Sequence, residues 1–322
     1  MRCILIDNPG PQSRLLVQEQ ETPVCDKDEI LVRVRATALN RADLMQRQGK
    51  YPPPPGESII PGLEVAGEVV AIGSRVNKFK PGDRAYGLVG SGAYADYCCV
   101  NQHLAELIPD NWDFAYAAAI PEALITAHAT LFSLGKLKKN QRLLVHAAGS
   151  GVSCFAIQMA RITGAEVFTT ASNQEKITKA EKLGVTKVIN YRSQDFETII
   201  GDKVIDLILD YIGGGYFPKH LKLLKPKGRL VQIACMQGHR VELDLAALMR
   251  KRLEIIGFVL RAQSIKEKAA LWKSAQQHWA TSLLNKQLAP VIDAEFKFLD
   301  LELAHSHMLS GAHFGKIVIR ID

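Results

Sequence analysis

The stretch from Gln141 to Gln158 constrains the fold most, reading Gln-Arg-Leu-Leu-Val-His-Ala-Ala-Gly-Ser-Gly-Val-Ser-Cys-Phe-Ala-Ile-Gln. Arg142 to His146 make an apolar run of strand length and Ala147 to Gly151 a small-residue turn, after which Val152, Phe155, Ala156, Met159 and Ala160 recur at helical spacing. A strand that enters a helix through such a turn lets the backbone approach a pyrophosphate. The phosphate charge then meets the unpaired N–H groups and the positive end of the helix. Taken alone the motif is weak: Gly149-Ser150-Gly151 supplies half of a G-x-G-x-x-G fingerprint, but Cys154 occupies the place of its last glycine.

The surrounding pattern strengthens it. Further strands are expected at Glu166–Thr170, Lys187–Asn190, Val204–Leu209, Arg229–Ile233 and Glu254–Val259, with helices at Gln174–Leu183, Ser193–Ile200, Tyr216–Leu224 and Leu243–Arg250. Regular alternation of this kind predicts a doubly wound parallel α/β sheet. A site for NAD needs an acidic side chain about twenty residues beyond the glycines, to bind the ribose 2′-hydroxyl. Here the chain reads Thr169-Thr170-Ala171-Ser172-Asn173-Gln174-Glu175-Lys176, so the strand end is neutral and hydroxyl-bearing, with a lysine close behind. A 2′-phosphate would find donors and a positive charge there, which favours NADPH over NADH. Glu175 opposes this, and a solvated helix lysine is the bland alternative for Lys176.

The 322 residues suffice for two domains, and the net charge of +7 suits a protein that handles a phosphate-rich cofactor. Nucleic acid would suit it too, but the basic residues are scattered. The densest clusters, Lys136-Leu137-Lys138-Lys139 and Arg250-Lys251-Arg252, are not interleaved with aromatics and read as solvated surface. The six cysteines show no C-x-x-C spacing and read as reduced thiols of a cytoplasmic protein. Met1 to Asp7 looks like a first strand rather than a signal peptide, and no apolar stretch is expected to span a membrane.

Residues up to about Pro121 have a different texture. Short runs such as Glu29–Ala38 and Gly67–Gly73, with the turn signal Pro81-Gly82-Asp83, imply a mostly β, barrel-like domain. The segment Tyr51-Pro52-Pro53-Pro54-Pro55-Gly56 is expected to be a stiff loop. Ser264–Gln287 is amphipathic, with Ile265, Trp272, Ala275, Trp279 and Leu283 near one face, and reads as a helix that returns the chain to this domain.

Leu39-Asn40-Arg41-Ala42-Asp43-Leu44-Met45-Gln46-Arg47-Gln48-Gly49-Lys50-Tyr51, together with Pro61–Gly67, resembles the zinc-free quinone oxidoreductases of the medium-chain dehydrogenase/reductase superfamily, the zeta-crystallin-like group. Within it, the wording is nearest to the tumour-suppressor-inducible quinone reductases. The likeness continues through Ala118–Ala123, Asn190-Tyr191, Asp210–Gly214 and Gly315–Val318, and covers essentially the whole chain. It implies a Rossmann domain over residues 122–261, and a GroES-like substrate domain made of residues 1–121 and 262–322. It also implies a substrate in the cleft between the domains, and a homodimer formed through the strand near Glu254–Val259. An exposed edge strand makes such pairing physically sensible.

Zinc-dependent relatives carry a cysteine near Asn40, a histidine at Leu63 and a further ligand near Glu122. Asn40 and Leu63 cannot replace thiolate and imidazole, so no zinc is expected. Without a Lewis acid, an electron-poor quinone or activated alkene is a better hydride acceptor than a carbonyl. The resemblance further implies that Asn40 lies near nicotinamide or substrate, that Tyr51 offers its hydroxyl to an acceptor oxygen, and that Thr126 binds the nicotinamide phosphate. Ser150, Gly151 and Val152 would bind pyrophosphate through N–H groups. Ser172, Lys176 and Tyr191 would surround the adenosine phosphate, and Phe258, Val259 and Leu260 would lie beside carboxamide and ribose.

An Asx turn, a loop aromatic and ordinary core packing are the bland alternatives. His305, His307 and His313 read as structural. Two departures stand out: Ser153 replaces a glycine that permits close helix–strand packing, and Ser172-Asn173 replaces Gly-Ser. The resulting expectation is an NADPH-dependent quinone reductase. The alternatives are a zinc-free enone or 2-enoyl reductase, and an NADPH-binding stress or RNA-binding protein with little catalysis.

Overall fold

The computed structural model describes residues 1–322. From Arg142 to Gly257 the chain builds six parallel strands, each followed by a helix or turn, whose order across the sheet is Lys187–Asn190, Glu166–Ala171, Arg142–Val145, Ile205–Asp210, Leu224–Gln232 and Glu254–Gly257. In chain order this is 3-2-1-4-5-6, the Rossmann arrangement. Leu143, Leu144 and Val145 are fully buried, as a strand covered on both faces requires. The order reverses beside Arg142–Val145. Ligands of open α/β sheets bind at this reversal, outside the carboxyl ends of the strands.

The other sheet has seven strands. Its path runs Ile292–Lys297, Lys316–Arg320, Glu29–Ala38, Glu64–Ile72, Arg84–Leu88 and Ala105–Leu107, with Tyr97–Asn101 also paired to Glu29–Ala38. All its pairings are antiparallel except that of Ile292–Lys297 with Lys316–Arg320. Ile30, Val32 and Val34 turn inward while Arg33 faces solvent, the period-two alternation of a half-covered sheet. Arg2–Asp7 does form a first strand, in a hairpin with Arg14–Glu19. The proline segment after Tyr51 is irregular, as expected.

The chain divides into two compact units. One comprises Met1–Ala123, Arg261–Gln277 and Ala289–Asp322, the other Leu124–Leu260 and His278–Leu288. The amphipathic pattern alone assigns the whole Ser264–Gln287 segment to the first domain. The last part of that helix belongs instead to the second unit, because Trp279 Nε1 bonds His128 Nδ1 at 3.1 Å and its ring lies 5.4 Å from that of Phe132. The expectation about apolar stretches also needs correction: the helical run Phe114–Leu134 has 21 residues and mean hydropathy 1.3, long and apolar enough to cross a membrane. It is 78% buried inside the protein, the condition of a core helix.

The close pairing of Glu29–Ala38 with Glu64–Ile72 depends on Gly67, where a Cβ would sit 2.0 Å from the Arg33 carbonyl oxygen. That neighbour is backbone and cannot swing away. Gly67→Ala is therefore expected to destabilise the chain by about 1–3 kcal/mol, the cost of overpacking. Urea unfolding at unchanged m-value would measure it.

Candidate active site

In the second unit the turn between Arg142–Val145 and the helix Gly151–Thr163 is held from the neighbouring strand. Ala147 adopts a left-handed φ of 52°, while its N–H reaches Thr170 Oγ1 at 3.3 Å and the Ala148 N–H reaches Thr170 O at 2.9 Å. Ser150 is the helix N-cap. Its own N–H donates to Ala147 O at 2.8 Å within the turn. Gly151 and Val152 follow as the first helical residues, whose N–H groups have no acceptor within the helix.

Ser153, the departure from glycine, is fully buried. Its hydroxyl donates to His146 O at 2.9 Å and lies 3.0 Å from the Tyr211 hydroxyl. The extra atoms form a bridge between the helix, the strand end and the loop after Asp210.

Thr126 lies in the helix Pro121–His128, which widens into a π-helix over Ala129–Leu134. Its Oγ1 is buried without a hydrogen-bond partner, a condition that a ligand oxygen would relieve. At the other strand ends, the register pairs Asn190 with Ala171, which brings Ser172 and Tyr191 to one edge. Asn173, rather than Ser172, caps the following helix and accepts the Lys176 N–H at 2.9 Å. Glu175 is paired with Lys179 at 2.7 Å, one turn further along the helix. The edge strand ends at Gly257, two residues earlier than expected. Beyond it the Phe258 N–H reaches Gln232 O at 3.0 Å, Leu260 is buried and Val259 is exposed.

The first unit contains a buried polar cluster that the sequence did not reveal. Lys316, 3% exposed, donates from Nζ to Leu39 O at 2.9 Å, Asn40 Oδ1 at 2.7 Å and Glu64 Oε1 at 2.6 Å. Asn40 Nδ2 also donates to Glu64 Oε1, at 2.8 Å, so both ends of the amide expected beside the nicotinamide are spent within the protein. Glu64 Oε2 accepts the Glu122 N–H at 2.9 Å, and Asp43 accepts from the Tyr94 hydroxyl at 2.9 Å and the Asn40 N–H at 2.7 Å. Burial pushes the Asp43 carboxyl up to about 6. Burial, then the nearby Glu64 charge, pushes Glu122 up to about 8.

Tyr51 stands beside a second unforeseen residue. The Arg261 guanidinium lies 5.2 Å from the centre of its ring and donates to Tyr51 O at 3.3 Å and Gly90 O at 2.8 Å. Arg261 is 7% exposed, yet its Nη2 has no partner. Burial, then Glu122, pushes the Tyr51 hydroxyl up to about 12, so it remains a proton-bearing donor at neutral pH. Burial also lowers Lys268. The only sequence signal for any of these was a lysine or arginine bordering an apolar run, at Gly315-Lys316-Ile317 and Leu260-Arg261.

His146, His220 and Asp210 also meet, all fully buried. The two Nε2 atoms are 2.8 Å apart. Tetrahedral ligands at about 2.0–2.1 Å from zinc stand further from one another than that, so the spacing is that of a hydrogen-bonded imidazole pair. Burial drives both rings toward the neutral form, His220 to about 4.

Two family models match: "Alcohol dehydrogenase GroES-like domain" over residues 26–110 and "Zinc-binding dehydrogenase" over residues 151–275. A quinone oxidoreductase of Lama guanicoe is 30% identical over 330 residues, covering 99% of this chain and 97% of the relative. The chain belongs to the medium-chain dehydrogenase/reductase family, with quinone oxidoreductases among its homologues. It is also 36% identical over 237 residues to a synaptic vesicle membrane protein VAT-1 homologue of Danio rerio, an alignment covering 71% of this chain and only 48% of that protein. The Escherichia coli quinone oxidoreductase complexed with NADPH superposes with TM-score 0.88 at 26% identity, covering 99% of each chain.

A carboxyl raised above its unfolded value contributes stability that is complete below about 4.5 and is lost as pH rises through the native value. For Glu122 that window extends from about 4.5 to about 8. The stability of Glu122→Gln relative to the native sequence is expected to rise across it by about 3 kcal/mol, allowing for partial exposure. Paired denaturation curves at pH 5 and pH 8 measure the difference, since protonation of the histidines is common to both proteins.

Proposed function

We propose that this oxidoreductase transfers hydride from NADPH to a small quinone without zinc. The observation that carries the acceptor side is the buried, partly unpaired Arg261 guanidinium against Tyr51. A guanidinium N–H and a phenol that keeps its proton are the donors needed where an acceptor oxygen gains charge. On the cofactor side, the Gly151 helix start and the unsatisfied Thr126 hydroxyl fit two phosphate groups, and the positive charge of Lys176 at the start of the next helix fits a third on the adenosine ribose. When bound, NADPH supplies the hydride. The chain's own residues hold and orient it, and bring donors to the acceptor.

Zinc independence is supported by the donor chemistry. Asn40 and Leu63 are not zinc ligands, and the Glu64 carboxylate is already neutralised by the Lys316 ammonium. The exposed edge strand Glu254–Gly257 supports a homodimer, and six free cysteines support a reducing, cytoplasmic setting.

One observation favours the enone reductase as a second reading. Reduction of an activated alkene needs a proton at the α-carbon after hydride addition, and Glu122, raised to about 8, holds one at neutral pH near Tyr51. Glu122→Gln should lower enone turnover by about 10²–10⁴-fold if the carboxyl is that donor. Equal turnover of an enone by both proteins would take Glu122 out of the donor role, absence of enone turnover by the native chain would remove the second reading, and fast turnover of an ortho-quinone alone would support the first.

For the cofactor, Lys176→Asp should cost NADPH about 1.5–3 kcal/mol of binding, some ten- to hundredfold, and leave NADH nearly unchanged. An unchanged ratio of the two dissociation constants would take Lys176 out of the phosphate site.

A further inference from the structure

The imidazole pair beneath the dinucleotide turn is directional, and its direction follows from one charge. Asp210 accepts the N–H groups of Ile212 at 2.7 Å and Gly213 at 2.9 Å, and its Oδ2 faces His220 Nδ1 at 3.7 Å. A ring nitrogen facing a carboxylate in a fully buried site is favoured when it carries the proton, since a lone pair there would be repelled. The proton of neutral His220 is therefore on Nδ1, and Nε2 is an acceptor. His146 Nε2, 2.8 Å away, must then be the donor, which leaves His146 Nδ1 as an acceptor. The group 3.1 Å from it is Thr170 Oγ1, whose hydroxyl donates to the ring while its lone pair receives the Ala147 N–H at 3.3 Å. Each group between Ala147 and His220 has one role, and the roles run in one direction.

The two ends of this chain are functional loops. Ala147 sits at the strained start of the turn that leads into Gly151, and Asp210 organises the turn through Gly213, whose φ of 67° is left-handed. Both follow the carboxyl ends of neighbouring parallel strands, at the place where the strand order reverses. Ser153 adds a second tie between the same loops, through His146 O and the Tyr211 hydroxyl.

We infer that His220, on the helix Phe217–Leu223, is a positioning residue for the dinucleotide: through His146 and Thr170 it fixes the conformation of the phosphate-binding turn against the loop after Asp210. The inference rests on the cofactor reading above. Removing the acceptor at His220 leaves the buried His146 donor unsatisfied, and the relaxation open to it is a ring rotation that releases Thr170 and, with it, Ala147. A glutamine keeps an acceptor for His146 and an N–H donor for Asp210, whereas leucine keeps neither.

The test measures NADPH dissociation constants of the full-length protein carrying His220→Leu, His220→Gln, Thr170→Val or the Leu/Val pair, alongside ¹⁵N-resolved histidine spectra of the native chain. His220→Leu should weaken NADPH at least tenfold, His220→Gln less than threefold, and the double variant no more than the weaker single. Wild-type affinity in folded His220→Leu, or additive losses in the double, overturns the inference.

Should His220→Leu fail to fold, two observations decide instead. Thr170→Val interrupts the chain with a residue suited to a strand, and wild-type affinity there overturns the inference. The spectra must also show His146 as the Nε2–H tautomer and His220 as the Nδ1–H tautomer, and the reverse assignment overturns it. The tautomers require no bound cofactor, so a native chain that did not bind NADPH would refute the cofactor reading alone.

Discussion

A buried ammonium must be neutralised, and the first unit's polar core is arranged around the one on Lys316. Desolvating a cation costs several kcal/mol unless acceptors replace its water, and here three do so from distant parts of the chain: Leu39 O, Asn40 Oδ1 and Glu64 Oε1. The strand that carries Lys316 is held to Glu29–Ala38 through Val318, Ile319 and Arg320, so the last strand of the chain and one of its first are tied by a ladder and by a charge. Glu64 is the carboxylate matched to the cation. Burial, more than any neighbouring charge, raises the carboxyls of Asp43 and Glu122, with the Glu64 charge adding to the rise and the Lys316 ammonium opposing it. Glu122 is the more strongly raised of the two.

The second unit solves a different problem. Parallel strands put all their carboxyl ends on one edge, and the backbone leaving them has donors and acceptors that the ladder no longer satisfies. Side chains of adjacent strands and of the following helix satisfy them instead. Thr170 receives the N–H of Ala147, Asp210 receives those of Ile212 and Gly213, and Ser153 reaches back to His146 O. The first N–H groups of the Gly151 helix are the ones this internal satisfaction does not reach. Those groups suit a pyrophosphate by both position and charge.

The parallel sheet was legible in the sequence because its signals are local. A strand of four to six apolar residues, a turn and an amphipathic helix all fall within thirty residues, and every expected strand from Arg142 onward appears, with bounds shifted by a few residues. The polar cluster was not legible because it is assembled across the chain. Asn40, Glu64 and Lys316 are neighbours only after the antiparallel sheet forms, and the apolar run that follows Lys316 is the one local sign of its burial and names none of its partners. Arg261 was hidden for the same reason. The helix that returns the chain was legible as a helix but not as a segment divided between two units, since Trp272 and Trp279 look alike in an amphipathic pattern. Only their partners, Tyr86 at 5.9 Å for one and His128 with Phe132 for the other, tell them apart.

Ser153 shows how a departure from a motif should be weighed. Read as a missing glycine, it predicts a displaced helix and a weaker cofactor site, because a side chain intrudes where helix and strand must approach. That inference holds when the added group is apolar or finds no partner. Here the hydroxyl lies between a strand-end carbonyl and a buried phenol, both polar groups that would otherwise need another partner in a site closed to water. The phenol of Tyr211 is fixed in turn, and burial holds its proton more firmly than in water. A glycine at this position would give the helix room to approach but would leave the Tyr211 hydroxyl and the His146 carbonyl short of a bond. The serine thus follows from the polar character of the residues beneath the turn, His146 and Tyr211 together.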